Sequence, residues 1–263
     1  LANVYRKQLL ERLQSPEDRR FAARVLDKIN LVLKNHETVV TDFCDPYQQS
    51  LISPGLKVPG ISFLWTGGYA GAERQRLVLG PEYLDLEEAD NALALLNVTG
   101  NLKYQNLTHR DFLGAILSLG IKREKTGDII VNEHGCQVIV DESISGYIIN
   151  NLTKVHKVGV KVVPAALATI ELPEEKTREI STTVSSLRID AVAAAGYGVS
   201  RTKMAADITA EKVKVNWHTV SDPSINVRAG DKISIRGRGR VEVETVKGET
   251  KKGRIAIILK RYQ

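Results

Sequence analysis

Apolar residues Phe21, Val25, Ile29 and Val32 recur at three- and four-residue intervals, which puts them on one face of a helix. Ahead of them, Ser15-Pro16-Glu17-Asp18 offers an N-cap hydroxyl, a proline where the first turn tolerates one, and acids over the positive helix end. The pattern predicts a helix ending near Lys34. Glu37 to Phe43 then reads as a short strand, and Asp45-Pro46 can cap a further helical turn. Pro54-Gly55 and Pro59-Gly60 mark loops.

Two β-like runs, Ile61 to Thr66 and Arg76 to Leu79, flank a glycine-rich stretch from Gly67 to Arg74. From Ala92 the period alternates: strand to Val98, helix His109 to Leu119, strand Ile129 to Asn132, a turn at Glu133-His134-Gly135, strand Gln137 to Val140, helix Ser143 to Leu152, strand Val158 to Val163. That βαββαβ order predicts a ferredoxin-like or RRM-like domain, and the whole chain an α/β (α+β) protein. The acidic run Asp85 to Asp90 reads as the solvated start of a helix. Gly67 to Gly71 fits neither phosphate-binding glycine pattern and needs no ligand as a hairpin loop; Arg74 and Arg76 beside it are candidate RNA contacts. Leu172-Pro173-Glu174-Glu175-Lys176 reads as a linker, giving three parts: residues 1–59, 60–175 and 185–263.

In the last part a short helix runs from Ser186 through Ala195, a turn occupies Gly196-Tyr197-Gly198, and Ser200 caps a second helix reaching Ile208. Val213-Lys214-Val215-Asn216 alternates, with the valines inward and Lys214 and Asn216 on the open face. Charge sharpens this picture. Of the chain's 37 Lys and Arg, 16 lie in the 79 residues from Ser185, against 8 of its 31 Asp and Glu, so this segment carries +8 and the rest −2. A concentration of this kind suits a polyanion, because cations near phosphates release condensed counterions. Ser200, Arg201 and Lys203 at a helix N-terminus form a phosphate-binding corner. Arg236, Arg238 and Arg240 alternate with glycine, and period-two spacing predicts all three on one face of a strand or ribbon.

Other chemistry is thinly represented. No stretch nears ~20 consecutive apolar residues, so no membrane span is expected. Cys44 and Cys136 are 92 positions apart without CxxC spacing, and the five histidines show no metal-ligand spacing, so neither a disulfide framework, a zinc site nor a reactive metal is expected. A reducing compartment fits. Leu1 to Leu13 lack the apolar core of a secretory signal.

Leu187-Arg188-Ile189-Asp190, Ser200-Arg201-Thr202-Lys203-Met204-Ala205, Val213-Lys214-Val215-Asn216 and Gly230-Asp231, in that order, resemble the S4 RNA-binding domain over about Leu187 to Arg240. The common pattern has glycine where this chain has Glu211 and Trp217; the indole there could stack on a base or sugar or pack over the helix pair. With Ser234 to Arg240, Thr250-Lys251-Lys252-Gly253-Arg254, and upstream Thr41 to Pro46 and Gly67 to Arg74, the chain resembles the YlmH family of bacteria, cyanobacteria and plastids along nearly its whole length. The resemblance implies a non-enzymatic protein without cofactor, contacting ribosomal RNA of the large ribosomal subunit, with tRNA near it, in quality control of obstructed subunits. A monomer in a bacterial cytoplasm or plastid stroma is expected.

The expected RNA contacts are Arg188, Ser200, Arg201, Lys203, Lys212, Lys214, Asn216, Trp217, Arg236, Arg238 and Arg240, with no catalytic, cofactor or metal residues. Reversing the charge of Arg201 and Lys203 together is expected to weaken RNA binding and leave the fold intact. Two alternatives stay open at this point. One is a scaffold for cell division or photosystem II assembly; the other is a pseudouridine synthase, a class often fused to S4 domains, although the string nearest its catalytic motif, Leu187 to Asp190, lies inside the S4 segment.

Overall fold

The computed structural model describes residues 9–13, 15–102, 105, 107–173, 176–251 and 253–262. The chain divides into two compact units, residues 1–173 and 174–263. Glu174 and Glu175 of the expected linker, Leu1 to Gln8, and Lys252 lie outside the described residues.

In the first unit, helix α1 (Pro16–Asn35) begins where the Ser15 hydroxyl accepts the Glu17 N–H at 3.2 Å and ends at His36, which is left-handed. Its buried stripe is Ala22, Val25, Leu26, Ile29 and Val32. Asp45 and Gln48 cap each other's backbone at the start of α2 (Pro46–Ile52). Strands β1 (Val39–Val40), β2 (Ile61–Thr66) and β3 (Arg76–Pro81) form an antiparallel sheet in the order β1-β3-β2. Ile61, Leu77 and Leu79 of that sheet share one core with the α1 stripe and Ile52, so the hairpin after residue 60 packs with the helices before it. The acidic run is not helical, contrary to expectation: Asp85 and Asp90 accept the backbone N–H two residues on, at 2.9 and 2.8 Å, and this local bonding favours turns over a helix.

Strands β4 (Leu93–Gly100), β5 (Thr126–Asn132), β6 (Gly135–Asp141), β7 (Lys154–Val155) and β8 (Val158–Ala165), with helices α3 (His109–Ser118) and α4 (Glu142–Asn151), complete this unit. The sheet order β5-β6-β4-β8-β7, antiparallel throughout, is the ferredoxin-like arrangement with one short edge strand added. Leu96, Val98, Val138 and Val140 face Phe112, Ile116 and Ile148 of the helices. The opposite face is also covered. Leu93, Leu95 and Ile139 pack with Phe43, Tyr69, Leu167 and Ile170, and buried Gln137 donates to the Thr169 carbonyl at 2.9 Å while accepting the Glu171 N–H at 2.8 Å.

The glycine-rich stretch is part of this cover. Asp128 accepts the Tyr69 hydroxyl at 2.8 Å and the N–H groups of Glu73 and Arg74 at 2.7 and 3.1 Å. Arg74 donates to the carbonyls of Thr126 and Phe43. Arg76 is buried, paired with Asp141 at 2.9 Å and donating to Thr41 and Ala92 carbonyls. Both side chains thus satisfy backbone carbonyls inside the unit, and Arg76 a carboxylate as well, which gives each a role within the fold in place of the candidate RNA contact. Both thiols are buried, and burial pushes each up to about 12.

The second unit is a six-stranded antiparallel sheet, β11-β10-β12-β13-β14-β9, made of β9 (Thr177–Val184), β10 (Val213–Val215), β11 (His218–Val220), β12 (Lys232–Ile235), β13 (Gly239–Glu249) and β14 (Ile255–Tyr262). Helices α5 (Ile189–Tyr197) and α6 (Arg201–Thr209) lie on its inner face, over Ile233, Val241, Val243, Ile257 and Leu259. Gly196 permits the close approach: a Cβ there would stand 2.7 Å from the Val241 side chain.

Candidate nucleic-acid interface

At the start of α5, Arg188 occupies the N-cap position and Asp190 the first turn. The Asp190 side chain is only 7% exposed, and both its oxygens are engaged by two guanidinium groups. Arg188 donates from Nε and Nη2 at 3.2 Å each; Arg201, at the start of α6, donates from Nε at 3.0 Å and Nη2 at 3.2 Å. Burial raises the Asp190 pKa, but hydrogen bonds from Arg188 and then Arg201, with their charges, more than offset this and hold it below the usual carboxylate range. The arginine side chains remain 38% and 47% exposed. One inward carboxylate therefore orients two outward cations, with donors on each fork remaining for a ligand.

This pairing corrects the expectation that reversing Arg201 leaves the fold intact. A carboxylate at that position would stand against a buried carboxylate of like charge. Ser200 acts as a helix cap, accepting the Lys203 N–H at 3.2 Å, and the Lys203 side chain is exposed on the same turn. Lys212 lies 3.7 Å from Asp207, and Lys214 is exposed on β10.

Two of the sequence motifs meet each other. The Asn216 amide donates to Asp231 at 2.8 Å and accepts the Lys232 N–H at 2.9 Å, so Asn216 joins the β10–β11 turn to Gly230-Asp231. Asn216 and Trp217 both have positive φ, 48° and 66°, the requirement of a tight two-residue hairpin turn. Glu211 is likewise left-handed at 57°. Both departures from glycine therefore sit where the backbone itself favours glycine.

The three alternating arginines do not share a strand face. Gly237 and Gly239, at φ 81° and 79°, turn the chain between β12 and β13. Arg236 is exposed in the turn; Arg238 folds back to 3.0 Å from Asp207, at ion-pair distance without hydrogen-bond alignment; Arg240 lies on β13 beside Trp217, its guanidinium carbon 5.2 Å from the indole centre. Period-two reasoning fails here because it presumes extended backbone across the glycines. Lys232, Lys260 and Tyr262, outside the expected contacts, flank Trp217 and Arg240. Their signal was the alternation of Lys232 with Ser234 and of Lys260 with Tyr262.

Comparison with known proteins follows this division of the chain. Residues 17–84 match a family model described as the N-terminal part of YlmH, 87–169 one described as a putative RNA-binding domain in YlmH, and 187–233 the S4 domain. The chain is 36% identical over 247 residues to "Ribosome-associated protein quality control protein P2" of Bacillus subtilis (strain 168), covering 94% of this chain and 96% of that protein. Among solved structures it resembles "Cell division protein ylmH from Streptococcus pneumoniae", with a TM-score of 0.52 and 26% identity, covering 61% of this chain and 98% of that one.

Proposed function

Given that this chain belongs to the YlmH family and carries its C-terminal S4 RNA-binding domain, we propose that it is a non-enzymatic factor docking on ribosomal RNA of the large subunit, with tRNA near it, in ribosome-associated quality control. The observation that carries this reading is the Asp190 clamp. Two half-exposed guanidiniums are fixed in orientation beside a helix N-terminus that also carries the exposed Lys203, the kind of charge-assisted donor cluster that binds backbone phosphates. Recognition of this kind reads shape and phosphate spacing, which suits A-form RNA, whose deep groove side chains do not reach. The ribosomal setting is supported by the name of the Bacillus relative. In this reading the protein acts as a monomer in the bacterial cytoplasm, or in the plastid stroma of a eukaryote.

The test is sedimentation of the tagged protein through a ribosome gradient, with crosslinked RNA sequenced from each fraction, for wild type, Lys203→Glu and Arg201→Gln. Glutamine avoids setting a charge against Asp190. The expected result is wild-type enrichment on free large subunits with ribosomal RNA crosslinks, and loss of both in the variants, each lost phosphate contact lowering the salt dependence by about one unit of slope. Wild-type protein at the top of the gradient without RNA would refute the reading in favour of a protein scaffold.

A further inference from the structure

The outer face of the second unit's sheet, turned away from α5 and α6, carries alternating cations and rings. In register, Lys214 faces Ser234, Ser234 faces Arg240, and Arg240 lies across from Tyr262 beside the Val241–Arg261 pair. One step along the strands, Lys232 faces Glu242 and Glu242 faces Lys260. Residues in such rows project to one side of a sheet. Their neighbours Ile233, Val241 and Leu259 are fully buried on the other side. Trp217 leans over from the β10–β11 turn, its ring centre 5.9 Å from the Lys232 ammonium and 5.2 Å from the Arg240 guanidinium. Arg240 is also 5.7 Å from the Tyr262 ring, and Lys260 is 5.3 Å from that ring. The Tyr262 hydroxyl donates to Glu242 at 2.6 Å, which fixes its ring.

Two facts separate this face from a merely solvated sheet surface. The indole occupies a left-handed turn position where glycine costs less, so a large ring is held over the sheet against the backbone's preference. Arg240, Glu242, Lys260 and Tyr262 also lie outside the segment matching the S4 domain, so they belong to an extension of that module. Building on the reading of this chain as RNA-binding, we propose that the outer face is a second RNA site, for an unpaired segment. Its bases stack on Trp217 and Tyr262, and its phosphates meet Lys214, Lys232, Arg240 and Lys260. Stacking accepts any base and needs it unpaired, whereas the helix-end clamp needs only backbone phosphates. The two surfaces therefore divide a structured RNA between them, duplex on one and single strand on the other.

The experiment uses the full chain and fluorescence anisotropy with two labelled probes, an octa-adenylate RNA and a fully paired RNA hairpin. Trp217→Gly removes the ring and leaves the residue best suited to the turn, so the variant keeps its fold, checked by circular dichroism. Tyr262→Leu tests the second ring independently. We expect ~10-fold or more weakening for octa-adenylate in Trp217→Gly, and hairpin affinity within about twofold. Lys203→Glu is expected to give the reverse pattern. Octa-adenylate binding that is unchanged in both ring variants, or absent in a wild type that binds the hairpin, overturns the second site alone. A wild type that binds neither probe overturns the RNA reading with it.

Discussion

Glu211 offers a direct test of the backbone argument, independent of any ligand. It follows α6 in the left-handed position of a helix stop: its N–H reaches the Ile208 carbonyl at 2.8 Å, and the Lys212 N–H reaches the Asp207 carbonyl at 3.1 Å. A residue with a Cβ pays roughly 1–2 kcal/mol for this conformation. Glycine removes that cost but returns about 0.5–1 kcal/mol through the freedom it adds to the unfolded chain. Glu211→Gly should therefore stabilise the second unit by about 0.5–1 kcal/mol, a rise of about 2–8 °C for a domain near this size. One position earlier, Ala210 has φ −80°, where glycine brings only its cost; Ala210→Gly should destabilise by a similar ~0.5–1 kcal/mol. Urea titration of the full chain, followed by Trp217 emission in a Trp65→Phe background, reads the second unit. Midpoints that move in the same direction for the two variants would refute the reasoning, since these adjacent, exposed positions differ in the sign of φ.

Two further outcomes follow from the buried pair in the first unit. Arg76→Ala should cost about 3 kcal/mol in urea unfolding, at the low end for breaking a buried ion pair because Lys125 still holds Asp141 at 2.9 Å; a loss under ~1 kcal/mol would argue against a structural role for Arg76. Burial raises the Asp141 pKa, but bonds from Ser143 and Lys125 and the charge of Arg76 outweigh it and bring it to about 2. Since the folded value lies below the unfolded one, this stability is present above about pH 4 and is lost as pH falls towards 2, amounting to ~2 kcal/mol; a pH series of unfolding midpoints that is flat across that window in wild type, or no flatter in Asp141→Asn, would count against it.

Much of the fold is legible in the sequence where one local signal suffices. Ser15, Asp45 and Ser200 announce their helices because a cap is a short-range bond between neighbours, and the alternation from Ala92 onward announces its strands. Strand β9 is harder to read. Thr177 to Val184 is largely polar, and it is a strand because its backbone pairs with β14 along its whole length, a partner some eighty residues away. The candidate site divides the same way. Ser200 and Lys203 follow from the helix start, whereas the shared use of Asp190 by Arg188 and Arg201 depends on how α5 and α6 meet. Arg238 and Arg240 part company because two glycines with positive φ intervene, and a hydrophobic pattern carries no record of φ.

The covered sheet face in the first unit bears on how this protein can be dissected. The segment matching the putative RNA-binding domain, residues 87–169, supplies Leu93, Leu95 and Ile139, while Phe43, Tyr69 and Ile170, which shield them, lie outside it. Cut at those limits, the fragment would bare a contiguous oily stripe and shed the Asp128 and Gln137 contacts that seal it, the conditions under which a domain self-associates. A nucleic-acid pull-down with such a fragment would measure stickiness. Cloning boundaries that keep residues 1–173 together retain the residues that cover this face, so an affinity measured on that piece reports on its native surface.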